Sequence, residues 1–323
     1  MLFSFVLPAY KAKYLAESIE SILSQTYKEF ELIIVNDASP EDLDSIVNSF
    51  HDTRIKYYKN SENIGGKDLV KQWNHCLTFA KGEYVILASD DDLYMPDFLS
   101  TFIPLIEKYP QVNVFRSRIL DIDGNGNICG TDNYYKEYIN TNEFRYLWFI
   151  GIKGGIANYI FKREHLLSQG GFVNFPLAWG SDDATILQMA NNGIINSQDY
   201  LFKFRWSGIN ISSQHDNKTL INKLIARIEL CYWRQNYLNI SIKTNFDRFY
   251  QERILTMNEV YNYNAIYRII KKMKFITFIS CIKTLYSFNL LNKKQKNKII
   301  FDRTRTQINI LITHLKNIIK SFL

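Results

Sequence analysis

Cysteine is scarce in this chain of 323 residues: there are four, Cys76, Cys129, Cys231 and Cys281, with no CxxC spacing among them. That excludes a zinc knot and leaves no basis for a disulfide framework, so a reducing cytoplasm is the expected setting. Histidine is almost as sparse. None of His51, His75, His165 or His314 stands in a metal-binding spacing, and nothing assigns a role to His215. No stretch reaches the roughly 20 apolar residues of a membrane span. The nearest, 275–288, is broken by Lys283 and by hydroxyl residues. The opening residues Met1 to Pro8 lack a basic segment and meet Pro8 too early for a signal peptide, so they read as a first strand. No GxGxxG follows that strand, which disfavours a dinucleotide fold of the usual kind. Internal repeats and long low-complexity linkers are missing too. With 46% hydrophobic and 22% charged residues, the composition suits one large globular domain and an appendage.

Acids nearly vanish from position 264 onward. Thirteen Lys and Arg there face the single Asp302, so this segment carries +12 while the rest of the chain carries −5 of the net +7. From Asp216 on, the pattern is helical and rich in Ile, Leu, Tyr and Phe interleaved with Lys and Asn. Such helices can lie on an anionic membrane surface, with Phe275, Phe278, Tyr286 and Phe288 entering the interface. The alternative to this favoured reading is a solvated basic face on helices packed on the rest of the chain, or an oligomer contact. Nucleic acid is a poor partner, because no recognition motif accompanies the charge.

Before that segment, apolar runs alternate with helical stripes. Strands are expected at Phe3 to Leu7, Phe30 to Val35, Ile55 to Tyr58 and Tyr84 to Ala88. Helices are expected from Lys11 to Gln25, from Pro40 (capped by Ser39) to Phe50, and from Lys67 to Ala80. This rhythm predicts an α/β fold with a mainly parallel, Rossmann-like sheet flanked by helices. Further on, Pro96 to Tyr109 predicts a helix broken near Pro104. Val112 to Leu120, Ile156 to Phe161 and Leu201 to Trp206 predict strands, and Arg163 to Gln169 and Ala184 to Asn191 predict helices. Asp121 to Asp132 matches the opening of a calcium loop but follows a strand, so a hairpin turn is the expectation.

The chemistry concentrates where the run Tyr84 to Ala88 ends in Ser89-Asp90-Asp91-Asp92. Three adjacent carboxylates repel one another, and a divalent cation relieves that repulsion; a helix cap, the alternative, needs only one acid. Asp37 ends the second strand, and in a parallel sheet it shares an edge with Asp90 to Asp92, where ligands of open α/β sheets bind. Asp182-Asp183, at a predicted helix start, is the third acidic point.

These residues resemble glycosyltransferase family 2, which has the GT-A fold. Val6 to Tyr10, Ser21 to Tyr27 and Glu31 to Ser39 look like its opening signature, and Asn63 to Gly66 with Trp73-Asn74 like the next block. Ser89 to Asp92 resembles Asp-Ser-Asp-Asp, Gly170 to Phe172 resembles Gly-Gly-Phe, and Asp182 to Leu187 resembles Glu-Asp-x-x-Leu. Phe204 to Trp206, through Asn210 to Ser212, is similar to the closing Tyr-Arg segment, so the likeness covers about 3–215. It implies a catalytic domain over 1–215, with a nucleotide-binding half 1–92 and an acceptor half 93–215, followed by a basic helical region 216–323.

The resemblance also implies roles. Pro8, Ala9, Tyr10, Asp37, Gly66, Lys67, Asn74, Asp90 and Asp91 would bind a nucleotide-sugar. Asp91 and Asp92 would hold Mn²⁺ or Mg²⁺, and Asp183, beside Asp182, would be the general base of an inverting transfer to a glycan or lipid-linked acceptor. Bacterial surface polysaccharide synthesis, in the cytoplasm or on the inner face of the plasma membrane, is the implied setting. Two departures stand out: Asn36 and Ser89 replace acids of the family pattern, and the second leaves open a register in which Asp90 and Asp92 form the metal pair. A sugar nucleotidyltransferase and a catalytically silent scaffold are the competing readings; the first lacks its usual Gly-rich basic loop, since Pro8-Ala9-Tyr10-Lys11 stands there.

Overall fold

Short runs dominated by apolar residues form the inner strands of one sheet in the computed structural model, which describes residues 1–152, 155–208 and 216–322 and side chains through 313. Lys153, Gly154, Asn210 to Ser212 and His215 lie outside the described residues. In chain order the elements begin β1 Phe3–Ala9, α1 Leu15–Leu23, β2 Phe30–Asn36, α2 Leu43–Asn48, β3 Ile55–Lys59, α3 Leu69–Leu77 and β4 Tyr84–Leu87. They continue with β5 Leu93–Tyr94, α4 Phe98–Lys108, β6 Val114–Ile122, β7 Ile128–Thr131, β8 Tyr138–Ile139, α5 Thr141–Ile150, β9 Tyr159–Lys162, α6 Arg163–Ser168, α7 Ser181–Met189 and β10 Ile194–Arg205. Four helices follow: α8 Asn217–Arg234, α9 Asn245–Lys272, α10 Phe275–Ser287 and α11 Lys293–Phe322.

The strand order is β3-β2-β1-β4-β9-β6-β10-β5, with β7 beside β6 and β8 beside β10. β3, β2, β1 and β4 are parallel, as is the β6–β10 pair, while β9 runs antiparallel between β4 and β6. Alternation along the strands sends Phe3, Phe5, Leu7, Leu32, Ile34 and Ile86 to a core under α1 and α4. Val6, Ile33, Val35, Val85 and Leu87 face the opposite core, under α3 and α7. With both faces covered, β1, β2 and β4 are apolar at most positions, Ser4, Glu31 and Asn36 being the buried polar exceptions, which is why they read as nearly continuous runs.

Ile254 of α9 enters that second core, and Leu230 of α8 packs on Ala184 of α7. Leu220, Ile266, Phe278 and Ile299 belong to a third apolar cluster, which joins α8 to α11. Asn142 Nδ2 donates to Asp247 Oδ1 at 2.6 Å, tying α5 to the capped start of α9. Among the described residues, no helix is long and apolar enough to cross a membrane.

Several expectations need correction. The second helix starts at Leu43, not Pro40: Asp42 accepts from Ser45 N–H as its cap, while Ser39 Oγ donates to the Tyr10 carbonyl and accepts from Glu41 N–H in the turn before it. α4 passes through Pro104 unbroken, giving up one backbone hydrogen bond, because Phe98, Leu99, Phe102 and Ile106 anchor it in the core. Ile156 to Asn158 forms a 3₁₀ turn, and the strand starts only at Tyr159. β10 starts seven residues before Leu201, held by β6 across an irregular register. Asp121 to Asp132 is the β6–β7 hairpin, in which Asp123 Oδ1 accepts from the N–H groups of Asn125 and Asn127.

Candidate active site

Because β1, β2 and β4 run parallel, their C-terminal ends open on one edge, and the loops there enclose a cavity of about 470 Å³. Pro8, Tyr10, Asp37, Gly65, Gly66, Ser89, Asp90 and Asp91 line it, with Trp73, Ile156 and Leu177 as apolar walls.

Asp37 is almost fully buried. Its Oδ1 accepts from Asn60 Nδ2 at 2.7 Å and from Ile64 N–H at 2.9 Å, and its Oδ2 accepts from Gly65 N–H at 2.7 Å. The carboxylate therefore fixes the loop before α3. Glycine is required there, since a Cβ on Gly65 would stand 2.8 Å from Asp37 Oδ2. Asn36 is used locally: its Oδ1 accepts from Ser39 N–H at 2.9 Å and its amide donates to Tyr57 Oη at 2.9 Å.

The three adjacent acids have three different surroundings. Asp90 Oδ2 accepts from the N–H groups of Tyr10 and Lys11 at 3.0 and 2.8 Å, pinning the end of β1. Burial raises its pKa, against the pull of those two N–H groups. Asp92 is spent inside the protein: Oδ1 accepts from Arg205 N–H at 2.8 Å and Oδ2 from Ser89 Oγ. Burial, then the charge of Asp91, pushes its carboxyl up to about 7. Asp91 Oδ2 accepts from Ser207 Oγ at 3.1 Å, and Oδ1 takes no hydrogen bond among the described residues. Arg205 holds this turn from behind. Its Nε donates to the Asp91 carbonyl at 2.8 Å, a terminal nitrogen pairs with Glu17 at 2.7 Å, and the guanidinium lies over the Tyr14 ring.

Asp182 and Asp183 occupy the first turn of α7, just after Gly180, whose φ of 97° is the left-handed conformation glycine tolerates. Asp182 Oδ1 accepts from Asp183 N–H at 2.8 Å, and Trp148 Nε1 donates to the Asp183 carbonyl at 3.0 Å. Both residues keep some exposure, yet protein surrounds the carboxyls. Burial, then the charge of Asp183, pushes Asp182 up to about 7. Asp183 is raised by burial, with Arg227 and Arg234 pulling the other way. Leu177, which walls the cavity, stands five residues before Asp182, and both Leu177 and Ala178 have positive φ. Backbone strain of about 1 kcal/mol or more per residue is characteristic of functional loops.

The structure thus gathers Pro8, Tyr10, Asp37, Gly66, Asp90 and Asp91 on one cavity, and sets Asp182 and Asp183 on the element beyond its Leu177 wall. Ala9 is buried within β1, and Lys67 pairs with Glu62 at 2.6 Å in solvent. Asn74 turns away: its Nδ2 donates to the Phe172 carbonyl at 3.1 Å and its Oδ1 accepts from Phe172 N–H at 2.8 Å. Among the described residues, no three His, Cys, Asp or Glu are grouped to hold a metal by themselves. Sequence reading missed the part played by Arg205 and Ser207. An arginine between Phe204 and Trp206 at the end of a predicted strand was the available signal, because a guanidinium buried there requires acids and carbonyls around it.

The family model described as Glycosyl transferase family 2 matches residues 4–168. The chain is 39% identical over 112 residues to a putative glycosyltransferase, EpsE, of Bacillus subtilis, covering 34% of this chain and 39% of that protein. It is 36% identical over 105 residues to WcaA of Escherichia coli, described as a putative colanic acid biosynthesis glycosyl transferase, covering 32% and 37%. The matches span little more than a third of these curated relatives. Among solved structures, Staphylococcus aureus TarS 1–349 in complex with UDP-GlcNAc aligns with a TM-score of 0.64 at 19% identity, over 95% of this chain and 90% of that one. The mannosyltransferase PcManGT of Pyrobaculum calidifontis, in complex with GDP-Man and Mn²⁺, aligns at 0.52 and 16% identity, over 95% and 80%. The order of β3-β2-β1-β4, the acids at its open edge and the family match over about half the chain lead to one conclusion: the protein belongs to glycosyltransferase family 2 and has the GT-A fold.

Proposed function

We propose that the protein is an inverting glycosyltransferase that moves a sugar from a nucleoside-diphosphate donor to a hydroxyl of a glycan or lipid-linked acceptor, in the assembly of bacterial surface polysaccharide. The observation that carries this is the shared cavity: Asp37, Asp90 and Asp91, from strands distant in sequence, border one space at the open edge of the sheet. Pro8, Tyr10, Asp37 and the Gly65-Gly66 loop are suited to hold base and ribose, leaving Asp91 for the diphosphate. Asp183 would take the proton of the acceptor hydroxyl as its oxygen bonds to the anomeric carbon. The bond from that carbon to the diphosphate breaks on the opposite side, and the nucleoside diphosphate leaves with the electron pair.

The residues fit a divalent cation of the kind that keeps one protein carboxylate and fills its remaining positions from phosphate and water. Asp91 offers its uncommitted Oδ1, with Asp92 fixing the turn behind it. Mn²⁺ or Mg²⁺ there would neutralise charge developing on the diphosphate.

Incubation with UDP-, GDP- and dTDP-sugars and Mn²⁺ should release nucleoside diphosphate slowly without acceptor. Pyrophosphate chemistry on a nucleoside triphosphate and a sugar 1-phosphate would instead indicate a nucleotidyltransferase, and no turnover a scaffold.

A membrane-surface role for the C-terminal helices is supported by Ile276 and Phe301, which are exposed, on α10 and on the lysine-rich α11. Co-sedimentation with anionic but not neutral vesicles is the expected result; equal binding to neither sinks it.

A further inference from the structure

This inference rests on the transferase reading and concerns its acceptor. A second cavity, of about 820 Å³, opens between the end of α5, one face of α8 and the later turns of α9. Lys223, Arg227, Arg268, Lys271 and Lys272 line it, and no acidic side chain does. Arg227, Arg268 and Lys271 form no ion pair among the described residues. Cations gathered around a concave wall focus a positive potential into it, and guanidinium groups match phosphate oxygens in pairs.

Trp179 belongs to the same wall. Lys223 Nζ lies 4.4 Å from its ring centroid and the Arg227 guanidinium 5.9 Å, and the indole N–H is buried with no hydrogen-bond partner among the described residues. An orphaned buried donor is costly, which marks the wall as adapted to more than self-packing. Trp179 is followed at once by Gly180 and the acids of α7. Arg227 is close enough to act electrostatically on Asp183, so the basic cavity adjoins the proposed base.

We infer that this cavity receives an acceptor carrying a phosphate ester or diphosphate, seated among Arg227, Arg268 and Lys271 while the hydroxyl to be glycosylated reaches toward Asp183. A single carboxylate would leave most of this charge and volume unmatched.

The test uses the full chain with its sheet-edge cavity filled by a mixture of UDP, GDP and dTDP with Mn²⁺. Calorimetric titration then follows with inorganic pyrophosphate, farnesyl diphosphate and glycerol 3-phosphate. At least one of the two esters should bind. The double variant Arg268→Glu, Lys271→Glu, altered only at exposed positions, should weaken that binding at least tenfold. Lys283→Glu, exposed on α10 outside the cavity, should leave it unchanged. Farnesyl diphosphate as the tighter ligand would identify a lipid diphosphate, and glycerol 3-phosphate a polyol phosphate. Equal affinity in the double variant, or binding of inorganic pyrophosphate without either ester, would overturn the inference. Failure of every nucleotide to bind would strike the transferase reading instead, since the ester titration is read separately.

Discussion

The two acidic regions of this protein hold their carboxylates in opposite ways. At the tip of β4, protein N–H and hydroxyl donors hold one oxygen of Asp90 and both of Asp92, while Asp91 accepts only from Ser207 Oγ among the described residues and keeps Oδ1 open. At the start of α7, Asp182 caps only its neighbour, and the Asp183 carboxyl takes no hydrogen bond among the described residues, lying instead in the field of Arg227 and Arg234. Donors that lock a carboxylate make a rigid anionic platform, suited to a cation. A carboxylate governed by burial and distant charge keeps a proton affinity that can be tuned, which suits acid–base work.

Four substitutions test this contrast. Asp183→Asn should lower turnover by roughly 10² to 10⁴ with donor binding intact, the usual worth of a general base. A matching loss of donor affinity would show that the two regions are not functionally distinct. Asp91→Asn should cost about 10² in turnover or more and abolish the response of donor affinity to Mn²⁺, because the acid proposed to hold the cation loses its charge. Donor affinity that still responds to Mn²⁺ would move the cation elsewhere.

Asp37→Asn should destabilise the fold by about 2 kcal/mol, since an amide cannot accept from Asn60, Ile64 and Gly65 together, and one buried donor is left unpaired. Urea unfolding reads this directly, and an unchanged midpoint would contradict the hydrogen bonding described.

The smallest effect is expected from Asp182→Asn. The carboxyl of Asp182 is raised from the ordinary range to about 7, so the native state binds its proton more tightly than the unfolded chain. Its stabilising contribution is complete below the unfolded pKa and is lost as pH rises through about 7. The variant should melt about 2 °C higher than the parent at pH 8 and show less dependence on pH between 4 and 8. Removing the adjacent negative charge should also shift the acid limb of the rate profile to lower pH. A limb that stays in place would place the titrating group outside this pair.

Much of this arrangement was legible in the residues. The runs at Phe3, Phe30 and Tyr84 declare buried parallel strands because both faces of the sheet are covered, and that rhythm puts Asp37 and the three acids at one edge. What could not be read depends on contacts distant in sequence. α5 escapes notice because Phe144, Trp148 and Phe149 are buried partly by α8 and α9, through Arg234 over two of those rings and through the Asn142 to Asp247 bond. The division of labour among Asp90, Asp91 and Asp92 is set by Arg205 and Ser207, more than a hundred residues away. Lys67 and Asn74 match the family pattern by position, but position alone does not say that one meets Glu62 and the other Phe172.

The grip of Asn74 on Phe172 acts as a mechanical linkage. One amide group both gives and takes a hydrogen bond with the backbone of the same residue, so α3 is tied to the segment that leads into α7. A nucleotide that drew the glycine loop in and shifted α3 would pull, through these two bonds, on the turn bearing Asp182 and Asp183. The enzyme should therefore follow a compulsory sequence, donor first and acceptor second, and product-inhibition patterns of random addition would uncouple the two.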